Sequence, residues 1–528
     1  MMRPKLYSSQ ACRACRRLKR KCTREVPKCS LCHRLGKACE YAEPIAAEAA
    51  SRIEQTLHVG TTSPSGILLN NNLAASFPRP AQEFPLAFFL DSEDLAPQGV
   101  NSFSWSRHLD INELVTEHLD DDRAALCEEY LSTVHEWVPM ISRKRLFNEL
   151  NSGSGDADGC LPILLLCMKA FTTRDVKCAR DSPSYLLARS LCSEAESMGF
   201  LSLRLVQSLV LLAAYELSHA IYPCAYSTLG RASRLGLLLG LHDRKNNKLF
   251  KGAETWTLRE EQRRTWWVIY LLDRLMNIET NLPITVPEPA QDELLPINDD
   301  DWDEGKIVPS EPLFTTSFSS STSVGSFAKM CQASHMLSKV MRHRASKKAL
   351  QEVENLLPEA QALHSALSAL HSSIEGHVSG GILRKSAIIA LSLCISARLL
   401  LYNLYACNEP GAFVEQSRIP METEMQRASL DGIISISSTI VPAIARANIE
   451  CPLIAQCLYH SATECAWFIR EDHEPQMYNA LEDIVRDLKL IGDNWNLATE
   501  YLALLQQAGI LSLTSSDTAS NTLTPSSG

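Results

Sequence analysis

From about Ile111 to about residue 511, apolar side chains recur three and four positions apart and strand-like alternation is almost absent. The period is helical. Between Asp122 and Trp137, Leu126, Tyr130, Val134 and Trp137 fall on one stripe, which predicts a helix stopping ahead of Pro139, a residue that cannot continue one. Ser202 is the expected N-cap of LRLVQSLVLLAAYELSHA, which ends before Pro223. Pro223 then opens CAYSTLGRASRLGLLLG, with Gly240 near its end. The segment Glu260 to Met276 (EEQRRTWWVIYLLDRLM) is apolar on nearly all sides after its first turn, as expected of a helix enclosed by neighbours. The longest apolar run, residues 387–406, is interrupted by Ser392, Ser396, Arg398 and Asn403, so a buried helix is expected rather than a membrane span.

Polar stretches divide the chain. After a cysteine-rich start at 12–42, residues 43–105 show one short helical signal (AAEAASRIEQTL) and then the linker-like TTSPSGILLNNNLAASFPRP. A helical region at 106–308 is followed by a Ser-rich linker at 309–326, a C-terminal helical region at 327–511, and a tail at 512–528 too poor in apolar surface to fold. No repeat of fixed period is present, which disfavours a solenoid. The predicted fold class is mainly α, with a small N-terminal module and a large all-α body.

Charge sharpens this division. The 528 residues carry a net −10, which by itself argues against a nucleic-acid partner. Residues 1–43, however, hold 12 basic and three acidic side chains, a local charge of +9 that leaves −19 for the rest. A basic module attached to an acidic body is the simplest reading. The N-terminus has no uninterrupted apolar stretch of the kind a secretory signal needs, so an intracellular protein is expected. Twelve of the 18 cysteines, such as Cys167, Cys394 and Cys465, are scattered through apolar patterns and are expected to be reduced, buried hydrophobes.

The other six are Cys12, Cys15, Cys22, Cys29, Cys32 and Cys39, spaced C-x2-C-x6-C-x6-C-x2-C-x6-C, one half-motif written twice. Paired thiolates at this spacing suit zinc in a reducing cell. One zinc would leave two thiols over; two tetrahedral zincs need eight ligand positions, which six sulfurs fill if two of them bridge. Two zinc ions per cluster are therefore expected. Between Cys15 and Cys22 lie Arg16, Arg17, Lys19, Arg20 and Lys21, five cations suited to neutralising phosphates. The substring Cys29 to His33 also fits a haem-attachment signature, but both cysteines are needed by the array. A disulfide framework is disfavoured in a chain without a secretory signal, and a zinc module serving protein contacts alone explains the cations less well.

This array resembles the fungal zinc binuclear cluster DNA-binding domain, through CRACRRLKRKC followed by PKCSLCHRLGKAC. The resemblance implies that Cys12 and Cys29 bridge the metals, that Pro27 is cis, and that Lys19 reads guanine edges of a CGG-like triplet, leaving Arg16, Arg17, Arg20 and Lys21 mainly to phosphates. In the body, GRASRLGLLLGLH (230–242) and EEQRRTWWVIYLLDR (260–274), followed by LPITVPE and DDDWDE, resemble the middle homology region of the same regulators. Asn281-Leu282-Pro283 stands where the family usually has Gly-Arg-Pro. Here Trp266, Trp267, Tyr270 and Leu271 are expected to be core. Arg263, Arg264, Asp273 and Arg274 are expected in a buried ion network, and Asp299 to Glu304 in a solvated loop.

The resemblance implies a nuclear, sequence-specific regulator of RNA polymerase II genes, a pathway-specific activator of a metabolic gene cluster, by analogy one for a secondary metabolite. Its partners would be double-stranded DNA with CGG-like triplets and the transcription machinery, with no membrane. The alternative is a zinc-stabilised nuclear adaptor without sequence-specific DNA binding. A monomer on one triplet and a homodimer both remain open, because AAEAASRIEQTL offers less than two heptads. No phosphate loop, nucleophile elbow or zinc-protease motif is present, and an enzyme is not expected.

Overall fold

A computed structural model describes residues 22–25, 28–34, 39, 89, 115, 117–119, 122–151, 160–173, 178–243, 255–280, 282–313, 324–349, 356–379, 385–406, 420–472 and 474–515. The chain divides into two compact units, Met1–Asn70 and Asn71–Gly528. In the first unit the described helix is α1 (Ser30–Arg34). The expected helix AAEAASRIEQTL, most of the 43–105 linker and the tail beyond 515 lie outside the described residues.

The second unit begins with α2 (Arg123–Ser132), α3 (Arg143–Asn151), α4 (Leu161–Thr172), α5 (Pro183–Ser197), α6 (Leu203–Ser218), α7 (Cys224–Leu238), α8 (Trp256–Asn277) and α9 (Asp299–Asp303). It continues with α10 (Ser326–Ala349), α11 (Leu357–Ser379), α12 (Lys385–Tyr402), α13 (Pro420–Ser435), α14 (Val441–Ala445), α15 (Ala455–Asp472), α16 (Pro475–Gly492) and α17 (Asn496–Gln507). Among the described residues there is no strand; Leu294 and Pro312 form an isolated antiparallel bridge. The mainly α expectation holds.

Local chemistry explains several boundaries. Ser202 caps α6, its Oγ accepting the Leu205 N–H at 3.1 Å. Every residue of α6 from Arg204 to Ser218 is buried, which makes it the central helix. α7 starts after Pro223 and closes at Gly240, whose φ of +69° lets Leu241 N–H bond back to Gly236 O at 2.9 Å. α2 ends earlier than its apolar stripe suggests. Ser132 and Thr133 both donate their hydroxyls to Glu129 O, and the chain runs on through turns that still bury Val134 and Trp137.

α8 is enclosed, with Trp266, Trp267, Tyr270 and Leu271 all buried as core. The expected ion network surrounds it. Arg264, with no solvent exposure, bonds Glu260 and Asp299 at 3.2 Å each and the carbonyls of Pro139 and Ile297 at 3.3 and 2.8 Å. Arg263 pairs with Glu260, and Arg274 with Asp273 at 2.7 Å and Glu288 at 3.0 Å. Asp299 to Glu304 departs from the solvated loop expected of it. It contains α9, capped by Asn298, and it buries Asp299 and Trp302 because Arg264 draws in the first and stacks over the ring of the second at 4.9 Å. Residues 309–313 are likewise pinned, with Leu313 N–H bonded to Glu293 O at 2.9 Å.

α10 packs along α12 and against α8, and α12 runs buried between α10, α11, α13 and α15. Two helices, Lys385–Tyr402 and Pro420–Ala445, are long and apolar enough to cross a membrane by composition; the first is 83% buried within the protein, as expected of a core helix. Between α13 and α14 the helix widens into a π turn at Ile436–Ile440, just before Pro442, which has no N–H for the regular bond. Trp495, at the start of α17, meets Trp137, Phe171 and His219 at centroid distances of 6.0, 5.9 and 5.2 Å. The last helix thereby closes against the first ones. Of the scattered cysteines, Cys127, Cys160, Cys192, Cys394 and Cys465 are buried as expected, whereas Cys178 is exposed beside a short 3-10 turn.

Candidate metal centre

In the first unit, the C-x2-C spacing places Cys29 just ahead of α1 and Cys32 within it, so both sulfurs reach the same side of one turn. His33 N–H bonds Cys29 O at 3.0 Å and sets that turn. Thr23 holds it from the other strand of the loop: its hydroxyl accepts Ser30 N–H at 2.9 Å and lies 2.7 Å from Ser30 Oγ. Cys39 returns to the same point, its sulfur accepting Cys29 N–H at 3.2 Å. Cys32 N–H in turn points at Cys29 Sγ, 3.4 Å away.

The sulfurs of Cys29, Cys32 and Cys39 all lie within 4.8 Å of one another. Sulfurs about 2.3 Å from a tetrahedral zinc would be about 3.8 Å apart, so this trio fits zinc with little adjustment. The two N–H···S bonds favour the thiolate form that a metal ligand requires. Cys29 is wholly buried and Cys32 3% exposed, while Cys22 and Leu31 pack against them. Almost all of this small cluster is sulfur. Among the described residues this cluster has a single aliphatic side chain, too little apolar burial to hold a fold, so metal binding is expected to supply the difference.

The remaining site positions named from the sequence, Cys12, Cys15, Arg16, Arg17, Lys19, Arg20 and Lys21, lie outside the described residues, as does Pro27. Cys22 touches the thiol cluster, but its sulfur is not one of the convergent three. Thr23 was not legible as a site residue, because a hydroxyl that braces a backbone turn has no characteristic spacing. Its place next to Cys22 is the one available hint.

A cysteine cluster next to a cationic run, followed by a large helical body, defines a zinc-cluster transcription regulator. Comparisons with known proteins agree. Residues 10–47 match the Fungal Zn(2)-Cys(6) binuclear cluster domain, and residues 127–372 match the Fungal specific transcription factor domain. Transcription factor BOA15 of Botryotinia fuckeliana is 37% identical over 182 residues, covering 34% of this chain and 98% of that protein. The tropolone cluster transcription factor tropK of Talaromyces stipitatus is 27% identical over 217 residues, 40% of this chain and 38% of its own length. The citrinin biosynthesis transcriptional activator mrl3 of Monascus ruber is 23% identical over 342 residues, 58% of this chain and 67% of that protein. The chain belongs to the fungal zinc binuclear cluster transcription factors. It is a zinc-binding transcription regulator, and its family and relatives are transcription factors rather than enzymes.

Proposed function

We propose that the protein is a nuclear, sequence-specific DNA-binding activator of a secondary-metabolite gene cluster transcribed by RNA polymerase II. The observation that carries this is the convergence of Cys29, Cys32 and Cys39, eight and more residues after a stretch with five cations in six positions. Relatives named for tropolone and citrinin biosynthesis support the pathway class. In this reading Cys12, Cys15, Cys22, Cys29, Cys32 and Cys39 hold two zinc ions, with Cys12 and Cys29 bridging. When bound, the metals supply the cross-links that order the basic segment. Lys19 donates to guanine edges of a CGG-like triplet, and Arg16, Arg17, Arg20 and Lys21 neutralise phosphates.

Titration of the zinc-loaded chain with CGG-containing and scrambled duplexes at physiological salt tests the reading. Preference for CGG is the expected result. Lys19→Ala should lose about 1–3 kcal/mol of discrimination at the guanines, while Arg17→Ala should weaken all sequences alike and flatten the salt dependence. Equal affinity for both duplexes would leave a zinc-stabilised adaptor as the better description. Equal losses from both substitutions would refute the division of roles.

A further inference from the structure

Beyond the nucleic-acid reading, and independent of it, the C-terminal helices bury a group of oxygen atoms that lack partners. α15 ends at Asp472 and α16 begins at Pro475, so the two form an antiparallel hairpin joined by two residues, and they pack along each other. Ser461 on α15 and Asp487 on α16 are equally far from that connection to within one residue, which sets them at the same height. Both are buried, Asp487 at 1% exposure and Ser461 at none. Neither the Ser461 hydroxyl nor either oxygen of the Asp487 carboxylate has a hydrogen-bond partner among the described residues.

The π turn at Ile436–Ile440 packs on both helices of this hairpin and brings in Ser437. Val441 N–H, which a regular helix would direct at Ser437 O, bonds Ile436 O instead, and Pro442, the next residue, has no N–H to offer. Ser437 O is met by the Cys465 thiol at 3.6 Å, a weak donor one turn along α15 from Ser461. The Ser437 hydroxyl is fully buried and has no hydrogen-bond partner among the described residues. Other buried serines of these helices satisfy themselves locally. Ser208, Ser218, Ser334 and Ser429 turn their hydroxyls back onto the carbonyl four residues earlier, at 2.7–2.8 Å. Ser437 and Ser461 do not.

Charge decides what these oxygens suit. Arg486, the chain neighbour of Asp487, is exposed and pairs with Asp483 at 2.6 Å, as Arg446 does at 2.7 Å. A water molecule could satisfy the hydroxyls but would leave the carboxylate charge uncompensated, and a buried charge is costly unless it is paired or binds a metal ion. One carboxylate among neutral oxygens balances a single positive charge, whereas calcium is usually held by several carboxylates. We propose that the Asp487 carboxylate, the Ser461 and Ser437 hydroxyls and the Ser437 carbonyl form an internal site for one monovalent alkali cation of the size and hardness of sodium. The ion joins α16, α15 and the π turn through groups that make no hydrogen bond to one another, and so braces the C-terminal hairpin. Every donor in the set is an oxygen, as a hard cation requires.

The full zinc-loaded chain can be unfolded by denaturant at about pH 8, above the range in which Asp487 keeps a proton, with sodium chloride exchanged for choline chloride at one constant ionic strength. Stability should rise with sodium as mass action requires of a ligand bound by the folded state alone, and choline, too large for an internal site, should add nothing. The sodium NMR line should broaden in the presence of the folded chain. Asp487→Asn keeps the shape of the side chain and removes its charge, and it should abolish both responses while the variant stays folded. Ser461→Ala and Ser437→Ala should each raise the sodium concentration needed for half the effect by about three- to tenfold. Equal stability in sodium and choline, the result an ordered water would give, overturns the proposal. So does a sodium response that survives Asp487→Asn, which would place the ion elsewhere, or serine variants that respond as the parent chain does. None of these readouts involves DNA, so failure here and failure of the promoter-binding reading are separable.

Discussion

Arg264 is a charged side chain with no solvent exposure, and its cost is met by two carboxylates and two carbonyls. Arg264→Met removes the cation but leaves Glu260 and Asp299 buried. The loss should be about 3–5 kcal/mol, read as a lower denaturant midpoint. The exposed pair Arg446–Asp483, at 2.7 Å with Arg446 57% exposed, provides the contrast: Arg446→Ala should cost under about 1 kcal/mol. Asp487 presents the opposite situation. It is 1% exposed, neither carboxylate oxygen has a hydrogen-bond partner among the described residues, and burial pushes its pKa up to about 7, against a small opposing effect of Arg486. The folded state therefore holds a proton that the unfolded state releases near pH 4, so stability falls as pH rises from about 4 to about 7 and levels off above. Asp487→Asn should remove that slope, making the variant's stability advantage grow between pH 5 and 7.5 in paired denaturation curves. The thiols of Cys394 and Cys465, raised to about 12 by burial, are inert fillers by comparison with the convergent Cys29, Cys32 and Cys39.

At the scale of elements, α13 crosses α12 where Gly432 faces the Tyr402 ring so closely that an added methyl group would overlap it. Gly432→Ala should destabilise by about 1–3 kcal/mol, measured by thermal melting, and adding Tyr402→Leu should recover part of the loss by making room. The Ser202 cap, the Pro223 start and the Gly240 stop are legible in the sequence because each depends on residues within one turn. The spacing of Cys29, Cys32 and Cys39 was legible for the same reason, since their separation along the chain is what brings them together. The end of α2 at Ser132, where two nearby hydroxyls on Glu129 O win over the apolar stripe, and the burial of Asp299 and Trp302 were not legible. The second depends on a partner from elsewhere, since Arg264 reaches Asp299 across 35 residues. Periodicity says which face is apolar but not which neighbour covers it.

For the whole molecule, the two units should respond differently to loss of metal. A chelator should abolish the order of the first unit, read as fast labelling of Cys29 and Cys32, which are otherwise buried. The far-UV helical signal should change little, because α1 contributes five residues and the second unit has an extensive apolar core of its own. A large loss of helix on chelation would show that the body depends on zinc. Within that body, the seating of Trp495 on Trp137, Phe171 and His219 also bears on synthesis. At about 5–20 residues per second, a ribosome needs roughly 15–60 s to pass from His219 to Trp495. During that interval the nascent chain carries uncovered aromatic faces on its first helices, and this is when a holding chaperone would govern how much active protein a cell accumulates.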